Sequence, residues 1–241
     1  MVLRLLCGQQ LCQACPARPE PALRLARADG DHQPRQTRNK EHEEGDGRTR
    51  RVSRRGDKAA AGRAGAGGRP TGPLCHENEG VAGRDKRTLR TLPVTLGGES
   101  WFWQFSPYGY FDQHGICVNT DHTPMHVDRD TFGHLLDFVD RFPGYFLGCN
   151  AALPRIGGSV LAHDHYQGGR YTFAMAKAPI EKTYTFPGFE NIKVGRVKWP
   201  MSTIRLQGED REELADLAEK ILGAWRKYSD PSVEILAETD G

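Results

Sequence analysis

The sequence predicts an α+β fold: a mainly antiparallel sheet with helices packed on it. Three observations carry this. After residue 90, short runs of apolar and β-branched residues outnumber helical patterns. Glycine pairs, Gly97-Gly98 and Gly168-Gly169, separate consecutive runs at hairpin spacing. Two segments with 3.6-residue periodicity, one central and one late, are available to cover the sheet.

The elements follow in order. Thr91–Leu96 reads as a strand, Gly97-Gly98 as its turn and Glu99–Phe105 as the returning strand. His114–Asn119 is a further short strand. Asp130–Phe142 is a helix, because Phe132, Leu135, Leu136 and Val139 recur at i, i+3, i+4 and i+7. Asp128 or Asp130 is its N-cap, and Pro143-Gly144 stops it. Tyr145–Cys149, Ser159–Gln167 and Tyr171–Ala176 are strand candidates. Arg196–Trp199 and Met201–Leu206 are read as pairing around Pro200. The last helix is Arg211–Tyr228, with Leu214, Leu217, Ala218, Ile221, Leu222 and Trp225 on its apolar face. Asp210 and Glu213 have capping-box spacing at its start.

The first part of the chain has a different texture. All 21 aromatic residues lie at or after Trp101. Residues 1–74 hold 15 Lys and Arg against 8 Asp and Glu, whereas residues 75–241 hold 18 against 23. The net charge of +2 is therefore a cancellation and gives no guide to partners. A segment such as Ala59–Gly68 has too little apolar surface to offset its ordering entropy. Residues 1–75 are expected to form a basic arm that is disordered or non-native, and residues 76–241 a partial domain carrying the motif His163, His165 and Gln167. Nucleic acid is not expected as its partner. Glu41, Glu43, Glu44 and Asp46 interrupt the basic run, and no aromatic is present to stack on bases.

Several function classes fall away. No apolar run approaches the roughly 20 residues that cross a bilayer, so no membrane partner is expected. Arg4, Gln9 and Gln10 break any secretory signal, and Glu20, Asp29 and Asp31 spoil a mitochondrial one. Six irregularly spaced cysteines do not make a disulfide framework. Cys12-Gln-Ala-Cys15 has the spacing of half a zinc site. Its nearest complements, Cys75 and His76, follow a long polar segment, so the pair is read as accidental and no metal is assigned.

The chemistry concentrates between Leu153 and Gly169. On a strand Ser159–Gln167, the side chains of Ser159, Leu161, His163, His165 and Gln167 share one face. Asp164 and Tyr166 then face the other way. Gly157, Gly158 and Ser159 precede the histidines, and glycines let backbone N–H groups approach an anion. The spacing by itself fits three uses: phosphoryl chemistry on a histidine, metal ligation, or a pair with no task. The first needs a neutral imidazole as nucleophile and a fixed amide donor for charge on the non-bridging oxygens. Arg155 and Arg170 suit phosphate neutralisation and equally suit a solvated surface.

His163-Asp-His165-Tyr-Gln167 resembles the His-x-His-x-Gln signature of galactose-1-phosphate uridylyltransferases of the histidine-triad superfamily. The similarity to the type II form extends over residues 76–241. It takes in His76-Glu-Asn-Glu-Gly80, Ser106-Pro-Tyr108, His122-Thr-Pro-Met125, Tyr145–Asn150 and Trp199-Pro200. The resemblance implies a histidine-triad-like sheet, here incomplete, and transfer of UMP from UDP-glucose to galactose 1-phosphate through a uridylyl-histidine. It implies His165 as nucleophile, His163 as its orienting neighbour and Gln167 as the donor in place of a third histidine. Asn150, Gly157, Gly158, Ser159, Arg155 and Arg170 are the implied contacts to substrate. No cofactor is implied; the setting is cytoplasmic, and the family often dimerises. Ala152 and Arg155 depart from the usual pattern. The rival readings are an inactive truncated remnant and a histidine-triad nucleotide hydrolase, against which Gln167 argues.

Overall fold

The computed structural model describes residues 2–6, 11–15, 72–82, 86–153 and 160–238. Among the described residues ten strands form one sheet in which every neighbouring pair is antiparallel. In chain order they are β1 (Val2–Leu6), β2 (Leu11–Cys15), β3 (Thr91–Leu96), β4 (Glu99–Phe105), β5 (Gly115–Asn119), β6 (Phe146–Cys149), β7 (His165–Gly169), β8 (Ile180–Tyr184), β9 (Lys193–Val197) and β10 (Thr203–Gln207). Across the sheet they run β3-β4-β5-β7-β6-β2-β1-β10-β9-β8. The helices are α1 (Arg129–Arg141), the single turn α2 (Ala174–Lys177) and α3 (Arg211–Arg226). The α+β expectation therefore holds.

Helix α1 starts where its sequence can satisfy the orphan N–H groups of its first turn. The Asp128 carboxylate accepts from the Thr131 N–H at 3.0 Å, and the Thr131 hydroxyl accepts from the Asp128 N–H at 3.3 Å. Asp210 caps α3 in the same manner, accepting from the N–H groups of Glu212 and Glu213. The apolar faces of both helices bury Phe132, Leu135, Leu136, Leu214 and Leu217 completely. These pack on one face of the sheet with Leu96, Trp101, Cys117, Leu147, Tyr166 and Leu206. Exposed ion pairs of Arg129 with Asp216 and Glu212 also link α1 to α3, and such pairs contribute little.

The other face of the sheet carries Phe102, Ile116 and Val118, with Leu74 packed against them. Register places the motif there. His165 pairs with Val118, and Gln167 pairs with Ile116 on one side and Gly148 on the other. Directly paired residues project to the same face, so His165 and Gln167 stand opposite the helices. Gly148 has no side chain beside Gln167, which leaves room above the strand. Gly168 faces the opposite way, where an added Cβ would press on the main-chain oxygen of Phe146.

Three sequence expectations change. Residues 2–6 and 11–15 are not part of an arm: as β1 and β2 they join β6 to β10. Without them both strands would present open edges. Residues 16–71 lie outside the described residues.

The strand expected at Ser159–Gln167 begins only at His165. The N–H groups of Met125 and Asp164 are spent between Leu161 and Thr123, and His163 N–H closes a turn onto Val160, which has φ 56°. The backbone groups that would extend the ladder are thus taken by the 120–125 loop.

Tyr171–Ala176 is not a strand. Its aromatics pack together instead, with Tyr171 and Phe173 rings 4.9 Å apart, and α2 follows. β8, with its mostly exposed residues, has no periodic signal and was not expected from sequence.

Candidate active site

The two motif histidines are fixed by carbonyl oxygens, which decides where their protons sit. A carbonyl can only accept. His165 Nδ1 lies 2.8 Å from the His163 carbonyl oxygen, so Nδ1 carries the hydrogen and Nε2 keeps its lone pair. His163 Nε2 lies 2.7 Å from the Asn119 carbonyl oxygen, so its Nδ1 is the unprotonated atom. That Nδ1 is buried without a hydrogen-bond partner.

Both rings are 3% exposed. Burial lowers the pKa of His165, opposed by its bond to the His163 carbonyl. Burial also lowers that of His163, opposed by its bond to Asn119. Both imidazoles are therefore held neutral near pH 7, as a nitrogen nucleophile or a metal ligand requires.

Asp164 between them is also buried. Its N–H donates to the Thr123 carbonyl at 2.7 Å and its own carbonyl accepts from the Asn119 N–H at 3.0 Å, so its backbone is pinned. Neither carboxylate oxygen has a well-formed hydrogen bond, and burial pushes its pKa up to about 6 against the weaker pull of His126 and of the adjacent His165 N–H. Tyr166 faces the helix side, stacked on Trp101 at 4.7 Å with its hydroxyl 3.1 Å from His134 Nδ1. This packing holds the strand from behind.

Gln167 shares the face of His165, and its Oε1 lies 3.1 Å from His114 Nε2. Asn150 follows β6 by one residue, next to Cys149, which pairs with Tyr166. Arg170 is not brought to the histidines. It lies past the far end of β7, roughly 16 Å of strand from His165, and its guanidinium is near Gly144. Arg155, Gly157, Gly158 and Ser159 lie outside the described residues.

Sequence reasoning assigned no metal, yet the fold gathers a donor set. Ligand atoms of Cys75, His122 and His163 lie within 4.8 Å of one another. Cys75 Sγ is 2.9 Å from His122 Nε2, and the His122 and His163 rings stack at 4.1 Å. His163 belongs to this group, and Nδ1 is its nitrogen not already bonded to a carbonyl. One thiolate and two imidazoles suit a borderline-soft ion such as Zn²⁺. Such a site also ties His163, and through its carbonyl His165, to the 72–82 segment. No spacing rule finds it, because Cys75 and His122 are 47 residues apart.

Zn²⁺ at a hundredfold excess over its Kd is expected to stabilise the fold by about 2.7 kcal/mol. Thermal melts of chelated and zinc-loaded protein check this, with Cys75→Ser losing the shift. An equal shift in Cys75→Ser, or none in the unaltered chain, would remove the ion from these residues.

Residues 138–237 match the family described as galactose-1-phosphate uridyl transferase, C-terminal domain. Proteins named galactose-1-phosphate uridylyltransferase are similar over most of the chain. The one from Bifidobacterium longum subsp. longum is 66% identical over 185 residues, covering 76% of this chain and 36% of that protein. The Clostridium acetobutylicum protein is 54% identical over 170 residues, covering 69% and 34%. The Butyrivibrio fibrisolvens protein is 52% identical over 176 residues, covering 71% and 45%. The chain thus spans about a third to under a half of the length of these relatives. No solved structure gives a significant match.

Proposed function

The chain belongs, over the matched three quarters of its length, to the galactose-1-phosphate uridylyltransferase family, and we propose that it carries the site at which UMP is passed from UDP-glucose to galactose 1-phosphate. The observation that carries this is the free lone pair on His165 Nε2, left by the Nδ1–H bond to the His163 carbonyl.

The reaction divides into two displacements. His165 Nε2 attacks the α-phosphorus of UDP-glucose. The new N–P bond replaces the bridging P–O bond, and glucose 1-phosphate leaves with that electron pair. A phosphate oxygen of galactose 1-phosphate then attacks the same phosphorus, giving UDP-galactose and restoring the neutral imidazole. His163 orients the nucleophile through its carbonyl. The Gln167 carboxamide donates to a non-bridging oxygen as charge develops there. An amide has no useful acid–base behaviour, so it supports the covalent intermediate without serving as a general base for water.

Asn150, one residue past β6, belongs to the proposal as a contact to the same phosphoryl group. Arg155, Gly157, Gly158 and Ser159 belong to the proposal as phosphate contacts on the resemblance of the sequence alone. Arg170 enters it only as a charge distant from the reacting atoms.

The experiment is a chase. Chain incubated with UDP-glucose labelled in the uridine is expected to hold an acid-labile, base-stable label and to release glucose 1-phosphate. Galactose 1-phosphate should discharge the label as UDP-galactose far faster than water discharges it as UMP. Discharge by water at the same rate would sink the transferase reading in favour of a hydrolase. No helix among the described residues is long and apolar enough to cross a membrane.

A further inference from the structure

His114 lies on the 106–114 loop just before β5 and is 1% exposed. Its ring packs against Tyr110 at 5.3 Å and Phe111 at 4.4 Å between centroids. Its N–H donates to the Phe111 carbonyl at 3.2 Å, and its carbonyl accepts from the Ser106 N–H at 3.0 Å, so both backbone and ring are held. The Tyr110 backbone N–H points at His114 Nδ1 at 3.4 Å. A backbone N–H can only donate, so Nδ1 must present its lone pair, and the hydrogen of the neutral ring sits on Nε2. That Nε2–H meets Gln167 Oε1 at 3.1 Å.

A carboxamide has two nearly equivalent orientations about its last torsion, and only a neighbour can choose between them. From the polarity of this chain of bonds, we infer that His114 is a positioning residue that locks the Gln167 carboxamide with its oxygen toward the loop and its NH₂ toward the face of His165. The reversed amide would set NH₂ against Nε2–H, donor against donor. The consequence for catalysis rests on the transferase reading above: with the amide locked, the donor for the phosphoryl oxygen is in place before substrate arrives, at no reorganisation cost. The loop aromatics are therefore linked to the reacting face through a single hydrogen bond.

Two measurements test this. Ring ¹⁵N shifts of His114 in the intact, unliganded chain should show the Nε2–H tautomer at neutral pH. A ring protonated on Nδ1 instead would overturn the inference, whatever the chain's activity.

The second is a double-mutant cycle on the rate of label formation from UDP-glucose. His114→Phe keeps a ring but has no donor, and is expected to slow labelling roughly tenfold to a hundredfold with little change in the UDP-glucose concentration needed. His114→Gln, whose NH₂ can replace the ring donor, should recover most of the rate. On a Gln167→Ala background, His114→Phe should cost nothing further. Full additivity, or a His114→Phe rate equal to that of the unaltered chain, would overturn the assignment. Absence of label on the unaltered chain would instead count against the transferase reading, and the ¹⁵N tautomer would still decide the orientation of Gln167.

Discussion

No acid-labile uridylyl label is expected on His165→Ala after incubation with UDP-glucose, under conditions that label the unaltered chain. The expected loss of rate is on the order of 10⁴-fold or more, the scale seen when an enzyme's nucleophile is removed. The size follows from the geometry. The Nδ1–H bond of His165 to the His163 carbonyl leaves only Nε2 as a free nitrogen nucleophile on this ring. His163 cannot replace it, because its Nε2–H is committed to Asn119 and its ring is stacked on His122 within the candidate donor set. Alanine at 165 leaves β7 intact, because the residue's backbone pairing with Val118 does not need the ring. A melting curve close to that of the unaltered chain should accompany the loss. Undiminished labelling would move the nucleophile elsewhere.

The second large effect concerns stability. Asp164 is 1% exposed, and neither carboxylate oxygen has a well-formed hydrogen bond. Burial raises its pKa from 3.8 to about 6, so the folded state holds the proton more tightly than the unfolded chain. The sign follows directly. The contribution to stability is complete below the unfolded pKa and is lost as pH rises through about 6. Above that pH the fold keeps an unpaired buried charge, at a cost of about 3 kcal/mol.

Asp164→Asn removes this titration. In chelated protein, its stability minus that of the unaltered chain should grow by about 2.4 kcal/mol between pH 4 and pH 8, since part of the full shift has already been expressed at pH 4. The absolute gain at pH 8 will be smaller, since a buried amide without partners costs about 1–3 kcal/mol itself. The buried histidines act in the opposite sense. His134, His163 and His165 all have lowered pKa values from burial, so each costs stability as pH falls below its unfolded value. They are present in both chains, and the subtraction removes them. Urea titrations across that range read the difference, and a flat difference would show that Asp164 is not held as an unpaired carboxylate.

Much of the fold was legible in local pattern. The hairpin of β3 and β4 around Gly97-Gly98 has the predicted bounds. Helix α3 starts at Asp210, named from its capping spacing, α1 starts at Asp128, one of the two aspartates named for it, and both bury the faces read from 3.6-residue periodicity. These features depend on residues within a few positions of one another, where backbone geometry imposes the period. The motif strand was read correctly only from His165 onward. Its first half had the right composition, but the 120–125 loop took its hydrogen bonds, and no local signal records a partner 40 residues away. The strands at residues 2–6 and 11–15 were missed for a related reason: the aromatic-free composition of the surrounding 75 residues outweighed two short apolar runs.

For the site, the sequence by itself determined the candidates: two histidines and a glutamine at alternate positions, in a stretch similar to one family along most of the chain. Only the tertiary structure decided how those residues are set. It gave each histidine its tautomer through a carbonyl oxygen and brought Cys75 and His122 to His163. It placed His114 beneath Gln167, left Asp164 buried without a well-formed hydrogen bond, and carried Arg170 away from the reacting face. The physical reason is one of range. Residue type and spacing fix what a segment can do, whereas proton positions, ligand clusters and desolvation depend on groups that sheet register brings together from distant parts of the chain.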